Sequence, residues 1–182
     1  KLLETVTFKA KNTNECIADV ISYASHFGIV SQNVKNKDIT STKILSSKTV
    51  LVYSAKHKDK FYIGDNIKEL SKNPTGIISG SGIYRKSIIK LFSKHKLNLI
   101  AEVPSFSNLR SCTLQGSIVS YLPEYCLRDS KDSDLSAYSP SNLSTITRDL
   151  FLIYRKNSLR HNKNLKEIIE IIINSVSKST SC

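Results

Sequence analysis

Apolar residues recur along this chain at two spacings, every second residue and every third or fourth, and the two patterns alternate from end to end. Thr5–Lys9 puts Val6 and Phe8 on one side of an extended segment and predicts a short strand. Asn12-Thr13-Asn14 supplies helix-starting residues ahead of Ile17, Val20, Ile21 and Ala24 at helical spacing. Phe27–Val30, opened by Gly28, predicts an apolar strand, and the polar run Ser31–Thr42 predicts a loop. Ile44-Leu45 and Thr49–Ser54 read as strands, the second carrying Val50-Leu51-Val52-Tyr53. Asn66–Lys72 predicts a short helix closed before Pro74, Thr75–Ser79 a buried strand, and Gly80-Ser81-Gly82 a turn. Ile83–Lys96 predicts an amphipathic helix with Ile88, Ile89, Leu91 and Phe92 inward and lysines outward. After a strand over Leu97–Val103, Ser105 is a good N-cap for a helix whose core face is Leu109, Cys112 and Thr113. Gly116 ends that helix as a C′ glycine, and Pro123 stops the strand Ser117–Leu122. Arg128–Ser144, rich in Ser, Asp and Asn and containing Pro140, reads as a linker. Leu150–Tyr154 predicts the last strand, and Leu165–Val176 a final helix with the stripe Leu165, Ile168, Ile169, Ile172 and Val176.

Strands alternating with helices predict an α/β fold, with a largely parallel sheet covered by helices. Breaks near His57–Asp65 and Arg128–Ser144 predict two lobes, residues 1–58 with 145–182 and residues 59–144, crossed twice by the chain. With 182 residues, 40% hydrophobic and 23% charged, the chain is long and apolar enough for a real core. The most apolar run, Ile168–Ile173, is interrupted by Glu170 and falls far short of the roughly 18 residues of a membrane span. The opening Lys1-Leu2-Leu3-Glu4 has no signal-peptide pattern, so the expectation is a cytoplasmic protein without a membrane partner. None of the four cysteines, Cys16, Cys112, Cys126 and Cys182, forms a C-x-x-C pair. A reducing compartment follows, with Cys112–Cys126 the pairing left open. The net charge of +12 has two readings, attraction to nucleic acid or anionic lipid, or a diffuse basic surface. The lysines are spread along the chain without a dense block, which favours the second.

Catalytic patterns are mostly missing: no G-x-S-x-G, H-E-x-x-H or phosphate-binding G-x-x-x-x-G-K-[ST] occurs. Gly80-Ser81-Gly82 begins like a dinucleotide fingerprint, but Arg85 stands where the third glycine belongs. His26, His57, His95 and His161 have no metal-ligand spacing, and no cofactor or metal is expected. Two strand-to-helix turns carry more. Ser79-Gly80-Ser81-Gly82 and Pro104-Ser105-Phe106-Ser107-Asn108 each place hydroxyls and backbone N–H groups at a helix N-terminus, at the carboxyl end of a strand. Such residues either cap their helices or receive a small anion, and open α/β sheets bind ligands at that end. The cationic segment 83–96 lacks the interleaved aromatics of a base-stacking surface and reads as a solvated face.

The ordered series of segments resembles the effector-binding domain of LysR-type transcriptional regulators. Asn12-Thr13-Asn14-Glu15 with His26-Phe27-Gly28-Ile29-Val30 is similar to that family's helix followed by a D-[LV]-[AG]-I strand. Val50-Leu51-Val52-Tyr53-Ser54-Ala55-Lys56-His57 resembles its v-l-v-x-s-x-x-H-P strand, and Ile78–Arg85 the strand and turn that open its second lobe. Leu114-Gln115-Gly116-Ser117-Ile118-Val119-Ser120-Tyr121-Leu122-Pro123 resembles v-x-x-G-x-G-I-x-x-L-P, and Leu150–Lys156 the returning l-x-l-v-y-r-k strand. His26 in place of Asp, Lys58 in place of Pro, and Ser117 and Ser120 depart from the family pattern. The resemblance implies a two-lobed fold like type II periplasmic binding proteins, with mixed, mostly parallel sheets and helices on both faces. It implies a regulator rather than an enzyme. A small effector, a carboxylate or other anion, would bind in the cleft and control a separate winged helix-turn-helix on promoter DNA. Ser79, Gly80, Ser81, Ser105, Ser107 and Asn108 would line the site, with Ser31 and Gln32 closing from the other lobe. It also implies a homodimer or higher homo-oligomer. A free-standing solute-binding protein of the same fold and a basic nucleic-acid-binding module are the alternatives.

Overall fold

The computed structural model describes residues 7–80, 82–127, 134–161 and 163–178. In chain order the elements are α1 (Thr13–Ile21), β1 (Phe27–Val30), β2 (Ile39–Ser54), α2 (Ile67–Leu70), β3 (Thr75–Ile78), α3 (Ile83–Leu91) and β4 (Leu99–Val103). Then come α4 (Phe106–Leu114), β5 (Val119–Pro123), β6 (Leu135–Tyr138), β7 (Thr147–Arg155), α5 (Ser158–His161) and α6 (Lys163–Lys178). The hydrogen-bonded strand order is β1-β7-β2-β5-β3-β4, with β6 also paired to β2. The sheet is mixed. β3 runs parallel to both β4 and β5, whereas β1/β7, β2/β5 and β2/β6 are antiparallel.

The chain divides into two compact units, Lys1–Ser46 with Asp149–Cys182, and Ser47–Arg148. Both divisions fall inside strands, β2 and β7, rather than in the loops that composition singles out. Polar residues hide the first of these strands. Ser46-Ser47-Lys48 reads as an interruption, yet Ser47 is buried and its Oγ accepts the Tyr125 N–H at 3.1 Å, so β2 runs through as a single strand. The break near His57–Asp65 is a 3-10 turn, Ala55–Lys60, internal to the second unit.

In the first unit, alternate residues of β7 face opposite sides, as a pleated strand requires. Phe151 and Ile153 pack with Val20, Ile17 and Cys16 of α1, together with Val30 and Ile39. Leu152 and Tyr154 pack with Leu165, Ile169, Ile172 and Ile173 of α6. The α1 start is a capping box, in which Asn12 Oδ1 accepts the Glu15 N–H and Glu15 accepts the Asn12 N–H. The second unit repeats the two-sided plan. Leu51, Tyr53, Ile77, Val119 and Tyr121 meet Leu70 of α2 and Tyr84, Ile88 and Phe92 of α3. Val50, Val52, Ile118 and Leu122 meet Leu109 of α4. Helices therefore cover both faces in each unit.

Several expectations are corrected. Residues 7–9 of the expected strand Thr5–Lys9 form no strand, and Phe8 is 74% exposed. Alternation alone does not hold an extended segment that pairs with nothing. Thr5 and Val6 lie outside the described residues. The helix expected to reach Lys96 ends at Leu91 with Phe92 as its C-cap, because Lys94-His95-Lys96 offers nothing to bury. Its inward stripe is Tyr84, Ile88 and Phe92, at the four-residue spacing of one helical face. Ile89, expected inside, is 37% exposed. The segment read as a linker is built into the core over its described part, 134–144. It holds β6, and Leu143 is completely buried. Its polar residues make local bonds instead of marking disorder: Ser141 N–H to Asp65 Oδ1 at 2.7 Å and Asn142 Nδ2 to the Asp65 carbonyl at 3.1 Å. Residues 128–133 lie outside the description. Cys16, Cys112 and Cys126 are free thiols, so the Cys112–Cys126 pairing is not formed.

Candidate functional site

β3 and β4 lie side by side and parallel, with Ile78 opposite Val103, so the two singled-out turns leave the second unit's sheet together. The Ser79 N–H donates to the Val103 carbonyl at 2.7 Å and continues the ladder one residue past β3. Gly80 then turns the chain at φ +96, a left-handed conformation that a side chain resists. Gly82 is the N-cap of α3 and provides no side-chain bond to the first turn. Ser79, Gly80 and Gly82 are exposed, and Ser81 lies outside the described residues.

The second turn is more ordered. Ser105 caps α4: its Oγ accepts the Asn108 N–H at 3.1 Å and donates its own proton to Asn108 Oδ1. A hydroxyl has one proton. Ser105 therefore has none left for a further acceptor, and its effect passes to Asn108, whose carboxamide it orients. With Oδ1 taken, Nδ2 is the donor end of that side chain. The Ser107 carbonyl accepts from Ser111 Oγ at 3.1 Å, and Ser107 and Asn108 are both exposed. Ser31 and Gln32, directly after β1, belong to the first unit and are half-buried. The structure thus brings Ser79, Gly80, Ser105, Ser107 and Asn108 to one end of the second unit.

An aromatic and basic cluster borders this end, and the sequence reading does not contain it. Tyr84, in the first turn of α3, and Phe106, the first residue of α4, meet edge to face with centroids 5.8 Å apart. The Arg148 guanidinium lies 4.6 Å from the Phe106 centroid and 5.9 Å from that of Tyr84. Tyr84 OH bonds Thr49 Oγ1 at 3.2 Å and the Tyr121 carbonyl at 3.3 Å. Burial pushes the Tyr84 phenol well above its ordinary value, with the Thr49 bond opposing it, so it stays protonated. Burial likewise pushes Tyr125 up to about 12 and Cys126 up to about 11, against the opposing field of Arg148. Such a thiol is a small hydrophobe at neutral pH, not a nucleophile. Phe106 enters the sequence pattern only as part of the turn Pro104–Asn108, Tyr84 follows the other turn, and Arg148 is a lone cation ahead of a strand. No local pattern could have joined the three.

Among the described residues no group of His, Cys, Asp and Glu is placed to hold a metal, and no helix is long and apolar enough to cross a membrane. A serine and amide rim beside a capped helix can accept and orient a small ligand by hydrogen bonds.

The chain belongs to the LysR substrate binding domain family, whose model matches residues 5–175. The fold is that of effector-binding domains of LysR-type regulators. It is similar to CbnR, a LysR family transcriptional regulator, with a TM-score of 0.72 at 14% identity, over 94% of this chain and 59% of that one. It is similar to the regulatory domain of HypT from Salmonella typhimurium, with a TM-score of 0.75 at 11% identity, over 97% of this chain and 88% of that one. A third similar structure is the effector binding domain of QuiR in complex with shikimate: TM-score 0.69, 18% identity, 94% of this chain and 81% of that one. This chain therefore spans about three fifths of the length of full regulators such as CbnR. No curated protein sequence matches it.

Proposed function

We propose that this chain is the sensing part of a transcriptional regulator and binds a small carboxylate at the turns 79–82 and 104–108. Ser79, Ser81 and the Asn108 amide donate to the anion, and Ser105 acts by holding Asn108. Ser107 and the open backbone at Gly80 complete the rim. Binding shifts the population of the domain's states and so the grip of a winged helix-turn-helix on promoter DNA, without catalysis. The working form is a homodimer in the cytoplasm.

The observation that supports this most is the joint exit of both turns from the parallel pair β3 and β4, with the α4 turn fixed by the Ser105–Asn108 cap. The QuiR complex holds a carboxylate in a domain of the same fold, which makes shikimate a natural probe. Thermal unfolding in the presence of shikimate, succinate, citrate and benzoate tests the reading. A ligand at a hundred times its Kd adds about 2.7 kcal/mol. For a domain of this size that is a rise of roughly 5–10 °C in Tm. The expected result is such a rise with a carboxylate and its loss with the methyl ester. Equal stabilisation by acid and ester, or by none of the four acids, contradicts it.

A further inference from the structure

Arg148 is the one part of the aromatic and basic cluster that packing does not explain. Its Nε is sealed from solvent and has no hydrogen-bond partner. One face of the guanidinium lies against Phe106. Among the described residues, the polar groups its charge acts on include the Tyr125 hydroxyl and the Cys126 thiol, both kept protonated at neutral pH by burial. The ion pairs among the described residues do not include it. The adjacent Asp149 is engaged elsewhere, with Lys43 at 2.7 Å and Ser46 at 2.6 Å, as expected for successive residues of a strand. Arg85, at the start of α3, is neutralised by Glu102 at 2.7 Å. A guanidinium drawn partly out of water normally has a carboxylate opposite it, because an unpaired charge there is unfavourable. Among the described residues Arg148 has rings, a phenol and a thiol instead.

We propose that Arg148 is the anion receptor of this domain. Its planar fork is laid on Phe106, and its terminal N–H groups take the carboxylate of the ligand in two parallel hydrogen bonds. Stacking fixes the plane of the guanidinium, and a fixed plane suits a flat carboxylate better than a spherical anion. Phe106 immediately follows Ser105, so the receptor borders the Ser105–Asn108 turn, whose Asn108 amide donates to the same anion. This inference rests on reading the chain as a carboxylate sensor and adds the residue that takes the charge.

The test follows the arginine Nε–Hε signals of the whole chain by NMR while sodium succinate is added, with sodium chloride at equal ionic strength as the reference. The expected result is a saturable shift of the Arg148 signal with succinate and none with chloride. Affinity should fall at least ten-fold in Arg148→Lys, which keeps the charge and loses the fork, and several-fold in Phe106→Leu, which loses the stack. Circular dichroism shows that each variant is folded, and either variant alone is sufficient if the other is not. Succinate binding to Arg148→Lys at wild-type affinity, an Arg148 signal that follows ionic strength alone, or no saturable shift at all overturns the proposal. If succinate binds, Arg148 is silent and Ser79→Ala abolishes binding, the sensor reading stands and Arg148 loses its place. If Arg148 responds and Ser79→Ala and Asn108→Ala change nothing, the receptor stands and the hydroxyl rim falls.

Discussion

Gly116→Ala is a sharp test of how α4 and β5 are joined. Gly116 follows the C-cap of α4 at φ +75, where a residue with a Cβ meets its own backbone at about 1–2 kcal/mol. There is also no room. A Cβ built there meets the His57 ring at 1.8 Å from Cδ2, 2.5 Å from Cγ and 2.8 Å from Nε2. Cγ sits next to the His57 backbone, so rotating the far end of the ring does not clear the methyl group, and the whole side chain must leave. Forced repacking of this kind is worth about 1–3 kcal/mol. The sum is about 2–5 kcal/mol, a large share of the roughly 5–15 kcal/mol that holds a typical domain. Urea unfolding of the wild type, Gly116→Ala, His57→Ala and the double variant separates the two parts. In the His57→Ala background the alanine should cause only the backbone loss of about 1–2 kcal/mol, so the pair should couple by about 1–3 kcal/mol. A loss under about 1 kcal/mol for Gly116→Ala, below the backbone strain alone, or a double variant as weak as the sum of the singles, refutes the reasoning.

Leu109→Ala removes a fully buried side chain between α4 and the sheet, and should lower urea-unfolding stability by about 2–5 kcal/mol; a loss below about 1 kcal/mol would mean that α4 does not seat there. Ser105→Ala removes the α4 cap and should lower stability by about 0.5–2 kcal/mol, with Ser105→Gly closer to wild type. Burial holds the Cys126 thiol near 11 against an ordinary 9.0, so at pH 8 iodoacetamide should alkylate it about a hundred-fold more slowly than a free thiol, read by mass spectrometry. For Asp149, burial pushes the carboxyl up, but Lys43 and Ser46 outweigh it and leave it below the ordinary 3.8. A depressed folded-state value contributes stability above pH 3.8 that disappears as pH falls through the folded value, so Asp149→Asn should flatten the acid limb of Tm against pH.

What was legible in the sequence is local chemistry. The helix-starting cluster Asn12-Thr13-Asn14, Ser105 as a cap, Gly116 as the C′ residue, and the stripe of Leu165 and Ile169 all act over one or two turns, and each stands where the pattern placed it. What was not legible depends on partners far along the chain. Ser47 is buried only because the Tyr125 N–H satisfies it, so the continuity of β2 is a tertiary fact. Leu135–Tyr138 is a strand because β2 offers an edge to it, not because of its composition. The two turns were recognisable separately as strand-to-helix junctions. Their adjacency is set by the pairing of β3 with β4, and the meeting of Arg148 with Phe106 by the path of β7. The role of Ser105 illustrates the limit: its residue type marks a cap and a ligand donor equally, and only the bond to Asn108 Oδ1 shows where its proton goes.

The central claim is that the turns 79–82 and 104–108 receive a small carboxylate. Isothermal titration calorimetry tests it most directly, using whichever of shikimate, succinate, citrate and benzoate stabilises the chain most. The titration is repeated on Ser79→Ala, Ser81→Ala, Ser105→Ala and Asn108→Ala. A charge-assisted hydrogen bond is worth about 1.5–3 kcal/mol, which is about ten- to a hundred-fold in Kd. The account predicts a loss of that size for Asn108→Ala and for at least one of Ser79→Ala and Ser81→Ala. Ser105→Ala should lose less, since Asn108 keeps its donor and loses only its orientation. An affinity unchanged in all four variants would contradict the account.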